Sequence, residues 1–587
     1  MKSSITVKWL AANYTKREVM IPMRDGVALY AAVYEPVDEE MHPVILERTP
    51  YPLNPYGKTF AKELRTRLDQ FVQARYIIVF QNVRGTFMSE GQFENIRPFN
   101  AAKQGLDTDE ASDAYDTAEW LLAHCRTNGS IGVKGISYPG FYASLAALSG
   151  HPAIKAVSPQ APVTDWFLGD DAHLGGAFQY GMYSFGASFF RPRPRPTKRW
   201  PKGVADTQGD LYDFFLEKGL SGSLDDLRGK VDFVDEMTVH PSYDVWWQER
   251  NPALQFRNVR PAVLVVGGWF DGEDCFGTFE TYRRIKNQSP DTELYLAAGP
   301  WYHGAWKKKG YAGLGPASFG PGSAEYFLRE IEYPFFAFYL EGKGEPGARV
   351  RILPSAETMP EKASGHQWEA HDIWPPQGDV RRLYLGDGKK LTPDPGTRIY
   401  EYMSDPERPV PYMAQTDSEW LLRIAQVADQ RFASRRTDVL TFAGPVLERE
   451  MKVEGRIRVH LELSMDTDDA DFIVKVVDRR PDGVQMLLRA GVLPARFRKD
   501  FSRPEPVTPG EPFVLDWELN DIAHRFLPGH RLMVQVQSSW FPLIAMSPQR
   551  YMDNPYLARP EDLRPARITL LPGSRVELPV VKQEGQD

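Results

Sequence analysis

The fold is decided by the stretch Ile131-Gly132-Val133-Lys134-Gly135-Ile136-Ser137-Tyr138-Pro139-Gly140. This stretch joins a short apolar run to a helical pattern over residues 141–148. Gly135 has no Cβ, so the chain segments before and after Ser137 can approach closely. The stretch therefore predicts a strained strand-to-helix turn that exposes the Ser137 hydroxyl above a sheet, as a nucleophile requires. Pro139 stands where a second glycine is usual, and a glycine-rich turn with a capping serine is the alternative interpretation.

The residues around this turn alternate between two patterns. Short apolar runs typical of buried strands occur at 44–46, 77–80, 131–133, 154–157, 261–266 and 293–296. Helical spacing of apolar residues separates some of these runs, at 115–125 and 141–148. Strands that alternate with helices predict a parallel sheet covered by helices on both faces.

The chain divides into three predicted parts. Residues 166–255 are rich in Phe, Tyr, Trp, Pro and Asp without regular strands, which indicates a helical cap inserted over an active site. The sheet pattern resumes afterwards, so residues 1–165 and 256–345 are expected to form one core. From 346 to 587, apolar and polar residues alternate and turn signals separate the runs. This last part is predicted to be an all-β domain, a two-sheet sandwich of jelly-roll type.

An acid and a histidine follow two later strands of the predicted sheet. Asp271 lies in Gly267-Gly268-Trp269-Phe270-Asp271-Gly272, and His303 lies in Gly299-Pro300-Trp301-Tyr302-His303-Gly304. An α/β-hydrolase needs its nucleophile, acid and histidine in this order along the chain. We therefore expect Ser137 to be the nucleophile, His303 its base and Asp271 the group that orients the histidine.

Composition excludes several classes of protein. The 587 residues include 70 basic and 78 acidic side chains, a formal charge of −8 that argues against nucleic-acid binding. No apolar run reaches the length of a membrane span or a signal peptide, so no membrane association is expected. The expected location is cytoplasmic for the sequence as given, or periplasmic or secreted if a signal peptide was removed. Cys125 and Cys275 are the two cysteines, and whether they pair stays open.

Cofactor signals are missing from the sequence. No His or Cys spacing typical of a zinc site occurs, and acidic clusters alone seldom fix a transition metal. No phosphate-binding glycine loop or dinucleotide fingerprint occurs either. Neither a metal nor a cofactor is therefore expected.

Five motifs spread along the chain point to one family. They are Arg48-Thr49-Pro50-Tyr51, Asn82-Val83-Arg84-Gly85-Thr86-Phe87-Met88-Ser89-Glu90-Gly91, Gly135-x-Ser137-Tyr138-x-Gly140, Trp269-Phe270-Asp271-Gly272 and Gly299-Pro300-Trp301-x-His303. Together they resemble the cocaine-esterase and X-Pro dipeptidyl-peptidase family of serine hydrolases. The resemblance implies an α/β-hydrolase core with a helical cap and a C-terminal jelly roll. It also implies a small ester, amide or short peptide as substrate, with a homo-oligomer left open.

The resemblance also assigns an oxyanion hole. Its two donors would be the backbone N–H of Tyr138 and the phenol of Tyr51, since both groups can donate to a developing negative oxygen. Packing of Tyr51 against the neighbouring prolines is the alternative, and Tyr56 is the fallback donor.

Acidic residues beside the expected triad bear on the substrate class. Glu273 and Asp274 follow Asp271 closely, and Asp170-Asp171 begins the cap. The combination is similar to the α-amino-acid ester hydrolases, which are also β-lactam antibiotic acylases, where three carboxylates bind the substrate's α-ammonium. The matching residues are Asp171, Glu273 and Asp274, with Asp170 as the less favoured choice. The alternative is structural, because acidic residues also cap helices and stabilise a first helical turn.

The expected reaction is acyl transfer through a covalent acyl-enzyme formed on Ser137. The preferred substrates would be α-amino acid esters or α-amino-acyl β-lactams. An X-Pro dipeptidyl-peptidase and a general carboxylesterase of the cocaine-esterase kind remain as alternatives. From another class, a carbohydrate-binding protein with an inactive hydrolase core also remains, although a complete triad in the right order argues against it.

Overall fold

The first large sheet contains the apolar runs that the sequence marks as strands. The strands of this part of the chain are β1 (Tyr14–Pro22), β2 (Ala28–Pro36), β3 (His42–Thr49), β4 (Ile77–Asn82), β5 (Thr127–Ser137), β6 (Ile154–Pro162), β7 (His173–Leu174), β8 (Ala177–Phe178), β9 (Ala262–Gly268), β10 (Leu294–Gly299), β11 (Gly313–Leu314), β12 (Ala317–Ser318), β13 (Val350–Ile352) and β14 (Glu369–His371). This computed structural model describes residues 5–188, 193, 195–207, 209–356, 368–416 and 422–581. Ten of the strands form one sheet in the order β1-β2-β4-β3-β5-β6-β9-β10-β13-β14.

The middle of this sheet is parallel. Each neighbouring pair from β4 through β3, β5, β6, β9 and β10 to β13 runs in the same direction. Every residue of β3, β4 and β9 is buried, as expected for strands covered on both faces. Because parallel strands end at the same edge, the ends of β5, β9 and β10 bring three loops together there.

Helices surround the sheet and form the inserted cap. They are α1 (Val7–Asn13), α2 (Asp69–Gln73), α3 (Glu110–His124), α4 (Tyr138–Ala147), α5 (Gly181–Ser188), α6 (Leu211–Asp225), α7 (Asp232–Met237), α8 (Val245–Glu249), α9 (Cys275–Gln288), α10 (Ser323–Tyr326) and α11 (Tyr333–Glu341), whereas α12 (Leu422–Ala425) lies in the C-terminal part of the chain. The sequence determines where α3 begins, because Asp109 and Ser112 each accept a hydrogen bond from the other's backbone N–H. Helices α5 to α8 lie between β6 and β9, so the insertion is helical.

The C-terminal part of the chain is rich in strands. They are β15 (Asp379–Gly386), β16 (Lys390–Thr392), β17 (Tyr400–Ser404), β18 (Leu440–Ala443), β19 (Met451–Gly455), β20 (Arg458–Met465), β21 (Asp471–Arg479), β22 (Gln485–Pro494), β23 (Phe513–Glu518), β24 (Ile522–Phe526), β25 (Arg531–Gln537), β26 (Ala566–Leu570) and β27 (Arg575–Val580). In β20 the burial alternates residue by residue, which matches the period of the sequence pattern. Where two of these named strands pair, they run antiparallel, apart from one parallel contact between β16 and β18. The jelly-roll arrangement of these strands stays a prediction.

The two parts of the chain interlock. Strands β13 and β14 lie beyond residue 346 in the sequence, yet they extend the first sheet. The cap contacts the C-terminal strand region through Tyr180, whose N–H donates to the Leu543 carbonyl oxygen at 3.2 Å. The domain boundaries expected from the sequence stay a prediction.

Two further expectations concern the cysteines and the membrane. Cys125 and Cys275 are both free thiols, and Cys275 is buried. None of the helices in the described ranges combines the length and the apolar character that crossing a membrane requires.

Candidate active site

Ser137 lies at a strained turn between β5 and α4. Its backbone has φ +71° and ψ −131°, a conformation that side-chain-bearing residues seldom adopt and that is stored at functional sites. A Cβ on Gly135 would lie 2.1 Å from the Pro139 carbonyl oxygen, and one on Gly140 would lie 2.8 Å from Pro162 Cα. Glycine is therefore required on both sides of the serine, and the second one follows Ser137 by three positions.

Asp271 and His303 meet at the edge where β9 and β10 end. His303 Nδ1 lies 2.9 Å from Asp271 Oδ2 and 3.1 Å from Oδ1, so the imidazole donates to this carboxylate. Asp271 Oδ1 also accepts from the backbone N–H groups of Glu273 and Asp274, at 2.9 and 3.1 Å. The buried carboxylate therefore fixes both the imidazole and the acidic loop that follows it.

The other imidazole nitrogen faces an acid. His303 Nε2 lies 3.5 Å from Glu273 Oε2. Burial alone would lower the pKa of His303, but the charges of Asp271 and Glu273 outweigh burial and raise this pKa to about 9.

Ser137 Oγ has no hydrogen-bond partner in the described part of the chain. Hydrogen bonds between catalytic groups often tighten only when substrate is bound, so this geometry is compatible with a serine–histidine pair.

The serine and histidine loops are nevertheless adjacent. A Cβ built on Gly304, next to His303, would lie 3.9 Å from Ile136 Cγ2, next to Ser137. The structure thus brings the three residues of the expected triad to one edge of the sheet.

Tyr51 lies over the same edge, in the loop after β3. Asn82, the last residue of β4, holds this loop, because its Nδ2 donates to the Tyr51 carbonyl oxygen at 2.7 Å. Burial and the nearby negative charges of Asp171, Glu273 and Asp274 hold the pKa of the Tyr51 phenol well above its usual value. The phenol therefore stays protonated and can donate a hydrogen bond near Ser137.

The other two tyrosines occupy different positions. Tyr138 is the first residue of α4, where backbone N–H groups point out of the helix end. Its phenol is used structurally, since it accepts from the Ile96 N–H at 2.7 Å and donates to Asn95 Oδ1 at 3.1 Å. The Tyr56 ring packs against Tyr30, with ring centroids 5.8 Å apart, and the charges that act on its phenol are those of Arg193 and Glu18.

Three acidic side chains gather beside the histidine. Asp171 donates its N–H to the Glu273 carbonyl oxygen at 3.2 Å, which ties the start of the cap to the acidic loop. Its backbone has φ +28°, and its Oδ2 accepts from Trp166 Nε1 at 3.1 Å. Asp274 is 0% exposed, and neither of its carboxylate oxygens has a hydrogen-bond partner among the described residues. Its one ion-pair contact in the described ranges is with His303, whose Nδ1 lies 3.9 Å from Asp274 Oδ2 and already donates to Asp271. An ionised carboxylate in this state is costly unless a further positive charge joins it.

The electrostatics of these acids favour a bound cation. Burial and the charge of Glu273 raise the pKa of Asp171 to about 7. Burial also raises the pKa of Glu273, and it raises that of Asp274 well above the usual range. A cation among these acids would favour their ionised forms and satisfy the oxygens of Asp274. The cluster is therefore suited to a compact positive group with several N–H donors, such as an ammonium.

The capping interpretation of these acids does not fit Asp274 but fits Asp170. Asp274 precedes α9, yet its side chain makes no capping hydrogen bond. Asp170 accepts from the backbone N–H groups of Thr164, Asp165 and Gly277 at 2.8–2.9 Å. Asp170 therefore joins the entry of the cap to α9, and its oxygens are already used.

An apolar cavity of about 130 Å³ lies next to Glu273. The cap supplies Tyr180 and Phe215, and the C-terminal part of the chain supplies Leu543 and Arg423. The side chain of a substrate held at Glu273 could enter this cavity. Cap and C-terminal region thus form it jointly.

Several side chains at the site carry weak signals or none in the sequence. Asn82 is marked in the sequence only as the first residue of one of the family motifs. Trp166 stands at the start of the cap, and only its contact with Asp171 shows its importance. Lys307, close to His303, and Arg423, far along the chain, have no signal that could mark them.

One group of side chains in the described ranges has metal-ligand geometry. Ligand atoms of Glu369, His371 and Glu454 lie within 4.8 Å of one another. Lys452 Nζ and Arg525 already bind Glu369, at 2.7 and 2.5 Å, and supply the positive charge that a metal ion would. Burial raises the pKa of Glu454, which favours its neutral form over a metal ligand. The three candidate ligands lie on β14 and β19, and none of them belongs to the Ser137 site.

Known proteins resemble this chain over nearly its whole length. The family described as X-Pro dipeptidyl-peptidase (S15 family) matches residues 25–305. The X-Pro dipeptidyl-peptidase C-terminal non-catalytic domain matches residues 343–577. Cocaine esterase from Rhodococcus sp. (strain MB1 Bresler) is 28% identical over 585 residues, which cover 90% of this chain and 92% of that protein.

Two solved structures superimpose on almost the whole chain. A selenomethionine-labelled α-amino acid ester hydrolase has a TM-score of 0.88, and an aminopeptidase from the marine sediment archaeon Thaumarchaeota archaeon has 0.89. Each is 32% identical, and each match covers 97% of both chains. The parallel sheet and the helical insertion agree with these matches, and the chain belongs to the cocaine-esterase and X-Pro dipeptidyl-peptidase family of serine hydrolases.

Proposed function

We propose that this serine hydrolase acts on α-amino acid esters and α-amino-acyl β-lactams, by hydrolysis or by acyl transfer. The observation that carries the proposal is the carboxylate of Asp274, which is fully buried and has no hydrogen-bond partner among the described residues. It lies with Asp171 and Glu273 beside His303, where an α-ammonium group would be next to a reacting carbonyl. A substrate without that ammonium would leave the buried acids only partly compensated, by the His303 imidazole 3.5 Å from Glu273 and 3.9 Å from Asp274.

The chemistry follows from the roles that we assign to the residues. Ser137 Oγ attacks the carbonyl carbon while His303 Nε2 takes its proton, and Asp271 holds the imidazole at Nδ1. The phenol of Tyr51 and the N–H of Tyr138 donate to the oxyanion. The leaving alcohol or amine takes the proton back from His303 as the carbonyl re-forms. Water, or an amine acceptor, then attacks the acyl-enzyme by the same route and releases Ser137.

The bound ammonium would also favour the neutral form of His303, which is the form that can act as the base. Glu273 Oε2 lies 3.5 Å from His303 Nε2, so its charge favours the protonated imidazole, which cannot accept a proton. An ammonium among the acids would cancel part of that charge and lower the pKa of His303. Substrates with the amino group would therefore bind more tightly and also leave more of the base in its active form.

The names of the superimposed structures support this substrate class. One is called an α-amino acid ester hydrolase and the other an aminopeptidase, and both names refer to a substrate with a free amino group. The apolar cavity lined by Tyr180, Phe215 and Leu543 supports an apolar side chain on the amino acid.

An X-Pro dipeptidyl-peptidase is the second candidate, because the family matches carry that name. It would also bind a free amine, but at a dipeptide's distance from the reacting carbonyl. Because the three acids lie directly beside His303, their position favours the shorter α-amino-acyl group over a dipeptide.

We propose in addition that the C-terminal strands form a jelly roll.

One side-by-side assay tests the proposal. The substrates are phenylglycine methyl ester, its des-amino analogue phenylacetate methyl ester, and alanyl-prolyl-anilide, with the Ser137→Ala variant as the blank. We expect kcat/KM to be largest for phenylglycine methyl ester at neutral pH. Equal values for the two esters would identify a plain carboxylesterase, and a preference for the anilide would identify a dipeptidyl-peptidase.

A further inference from the structure

A second cavity, of about 250 Å³, lies on another side of Tyr51 and has no role in the chemistry described above. Tyr51, Ile136 and Pro139 are among its lining residues, and the last two flank Ser137 in the chain. The exposed Asn54 also lines it, so the cavity reaches the protein surface. None of the three acids assigned to the ammonium lines this cavity, whereas Glu273 lines the apolar one.

Lys307 lines this second cavity from the histidine loop. It follows His303 by four residues, and its stem passes over Gly304, where an added Cβ would lie 3.3 Å from Lys307 Cε and 3.5 Å from Nζ. Its Nζ makes no hydrogen bond or ion pair within the described ranges. Burial and the positive charge of Arg67 lower the pKa of Lys307 to about 8, so it is still mostly charged at pH 7.

The other charged groups of the cavity leave Lys307 available. Arg67 binds both carboxylate oxygens of Glu47, with NH2 2.6 Å from Oε2. Glu63 also lines the cavity, but it lies beyond 4.0 Å from Lys307 Nζ, since no ion pair joins them. A partly buried ammonium without a direct counter-ion beside a reaction centre is a site for an anionic group.

We propose that this cavity receives the leaving group of the substrate and that Lys307 binds a carboxylate on it. The inference rests on the proposed function, because the acyl part must occupy the side of the acids. The leaving group must then lie across the reacting carbon from them, on the side of the cavity whose lining includes Ile136 and Pro139, the chain neighbours of Ser137.

The proposal narrows the substrate class. Favoured substrates would carry an ammonium at the acyl end and a carboxylate on the leaving group, as dipeptides and aminoacyl β-lactams do. In the acylation step the bond from the carbonyl carbon to the leaving nitrogen or oxygen breaks. His303 gives the leaving atom its proton, and Lys307 keeps its own protons and only holds the carboxylate.

Two esters with one acyl group isolate this contact. The carboxymethyl ester of phenylglycine has an anionic leaving group, and its carboxamidomethyl ester is a neutral compound of nearly the same shape. At pH 7 we expect the wild-type protein to prefer the carboxymethyl ester by about 10–100-fold in kcat/KM, the range for a hydrogen bond to a charged group. Lys307→Met should bring this ratio to about one or below, and Lys307→Arg should keep most of it.

Lys308→Met is the matched control. Lys308 is the exposed neighbour of Lys307, and its Nζ donates to the Tyr302 hydroxyl at 2.6 Å outside the cavity. The Lys308→Met variant should prefer the carboxymethyl ester over the carboxamidomethyl ester by the same ratio of kcat/KM as the wild-type protein. A wild-type ratio near one, or the same ratio in Lys307→Met and wild type, would overturn the proposal and leave Lys307 as a balancing charge for Glu47 and Glu63.

A separate series distinguishes this failure from failure of the proposed function. The same two leaving groups on phenylacetic acid lack the ammonium, so their ratio reports the second cavity alone. The comparison of phenylglycyl with phenylacetyl esters reports the acids alone. The preference for a carboxylate on the leaving group can thus be absent while the preference for an ammonium on the acyl group is still measured, and the reverse also holds.

Discussion

Replacing Glu273 by glutamine should change the activity on two esters in opposite directions. The substitution keeps the shape of the side chain and removes its charge, 3.5 Å from His303 Nε2. Phenylglycine methyl ester should lose a partner of its ammonium, whereas phenylacetate methyl ester has no ammonium to lose. The des-amino ester should instead gain, because the imidazole will lose its proton more readily.

The size of the gain follows from the distance. Two unit charges 3.5 Å apart interact by about 1 kcal/mol at the dielectric constant of water and by about 5 kcal/mol at a value of 20. At 1.36 kcal/mol for each pKa unit, removing Glu273 should lower the pKa of His303 by about 1–3 units. In the wild-type protein this pKa is raised to about 9, so the variant should titrate at roughly pH 6–8.

The pH profile of kcat/KM is the measurement, because it reports the pKa of the free enzyme's base. With phenylacetate methyl ester, the acid limb of the wild-type profile should lie near pH 9, and the variant's limb at lower pH. At pH 7 the variant should be about tenfold or more faster on this ester, since each pKa unit changes the neutral fraction about tenfold.

With phenylglycine methyl ester the same variant loses an ammonium partner, which should cost about 3–5 kcal/mol, a factor of hundreds to thousands in kcat/KM. The lower pKa of His303 should offset about tenfold or more of this loss at pH 7. Efficiency should also fall above pH ~8 as the α-ammonium itself deprotonates, a limb that the des-amino ester lacks. Equal losses on both esters, with no shift of the acid limb, would refute the reasoning and leave Glu273 as a support for the Asp271 loop.

Three further substitutions test other parts of the site. Ser137→Ala should lower turnover by several orders of magnitude and abolish labelling by a fluorophosphonate, with an unchanged melting curve; a labelled, active variant would contradict the assignment. Tyr51→Phe keeps the ring and removes one oxyanion donor, so kcat should fall about 10²–10³-fold; a change in KM alone would make Tyr51 a packing residue. Asp274→Asn should raise the melting temperature at pH 8 but not at pH 4. The raised pKa of Asp274 means that the folded protein loses stability as pH rises through it, a loss that asparagine avoids. Lower melting temperatures at both pH values would contradict this, and would show that the carboxylate stabilises the folded protein, as its contact with His303 Nδ1 at 3.9 Å could.

Local patterns were sufficient for the elements that hold the site. The apolar runs and the glycine before Ser137 indicate a strand, a turn and a helix within about 20 residues, and β5 and α4 meet at that serine. Asp271 and His303 could be selected because each follows a strand of the same parallel sheet. Such strands end at one edge, so their order along the chain predicts which loops come together.

Other features depend on contacts between distant parts of the chain. The sequence offered Asp170 and Asp171 as alternatives, and three backbone N–H groups folded around Asp170 distinguish them. The lack of hydrogen bonds to Asp274 among the described residues is likewise invisible in a sequence, because it reflects which donors fail to reach a buried carboxylate. Family resemblance named these acids without showing their environment.

The sequence by itself determined the order of the elements, the turn at Ser137 and the loops that carry Asp271 and His303, because periodicity and glycine placement act over a few residues. Only the tertiary structure decided what surrounds those loops. It placed Asn82 under Tyr51, brought Arg423 to the cavity beside Glu273, and left Lys307 facing a second cavity. It also extended the first sheet with β13 and β14. These outcomes depend on packing between segments tens to hundreds of residues apart, for which a single sequence contains no periodic signal.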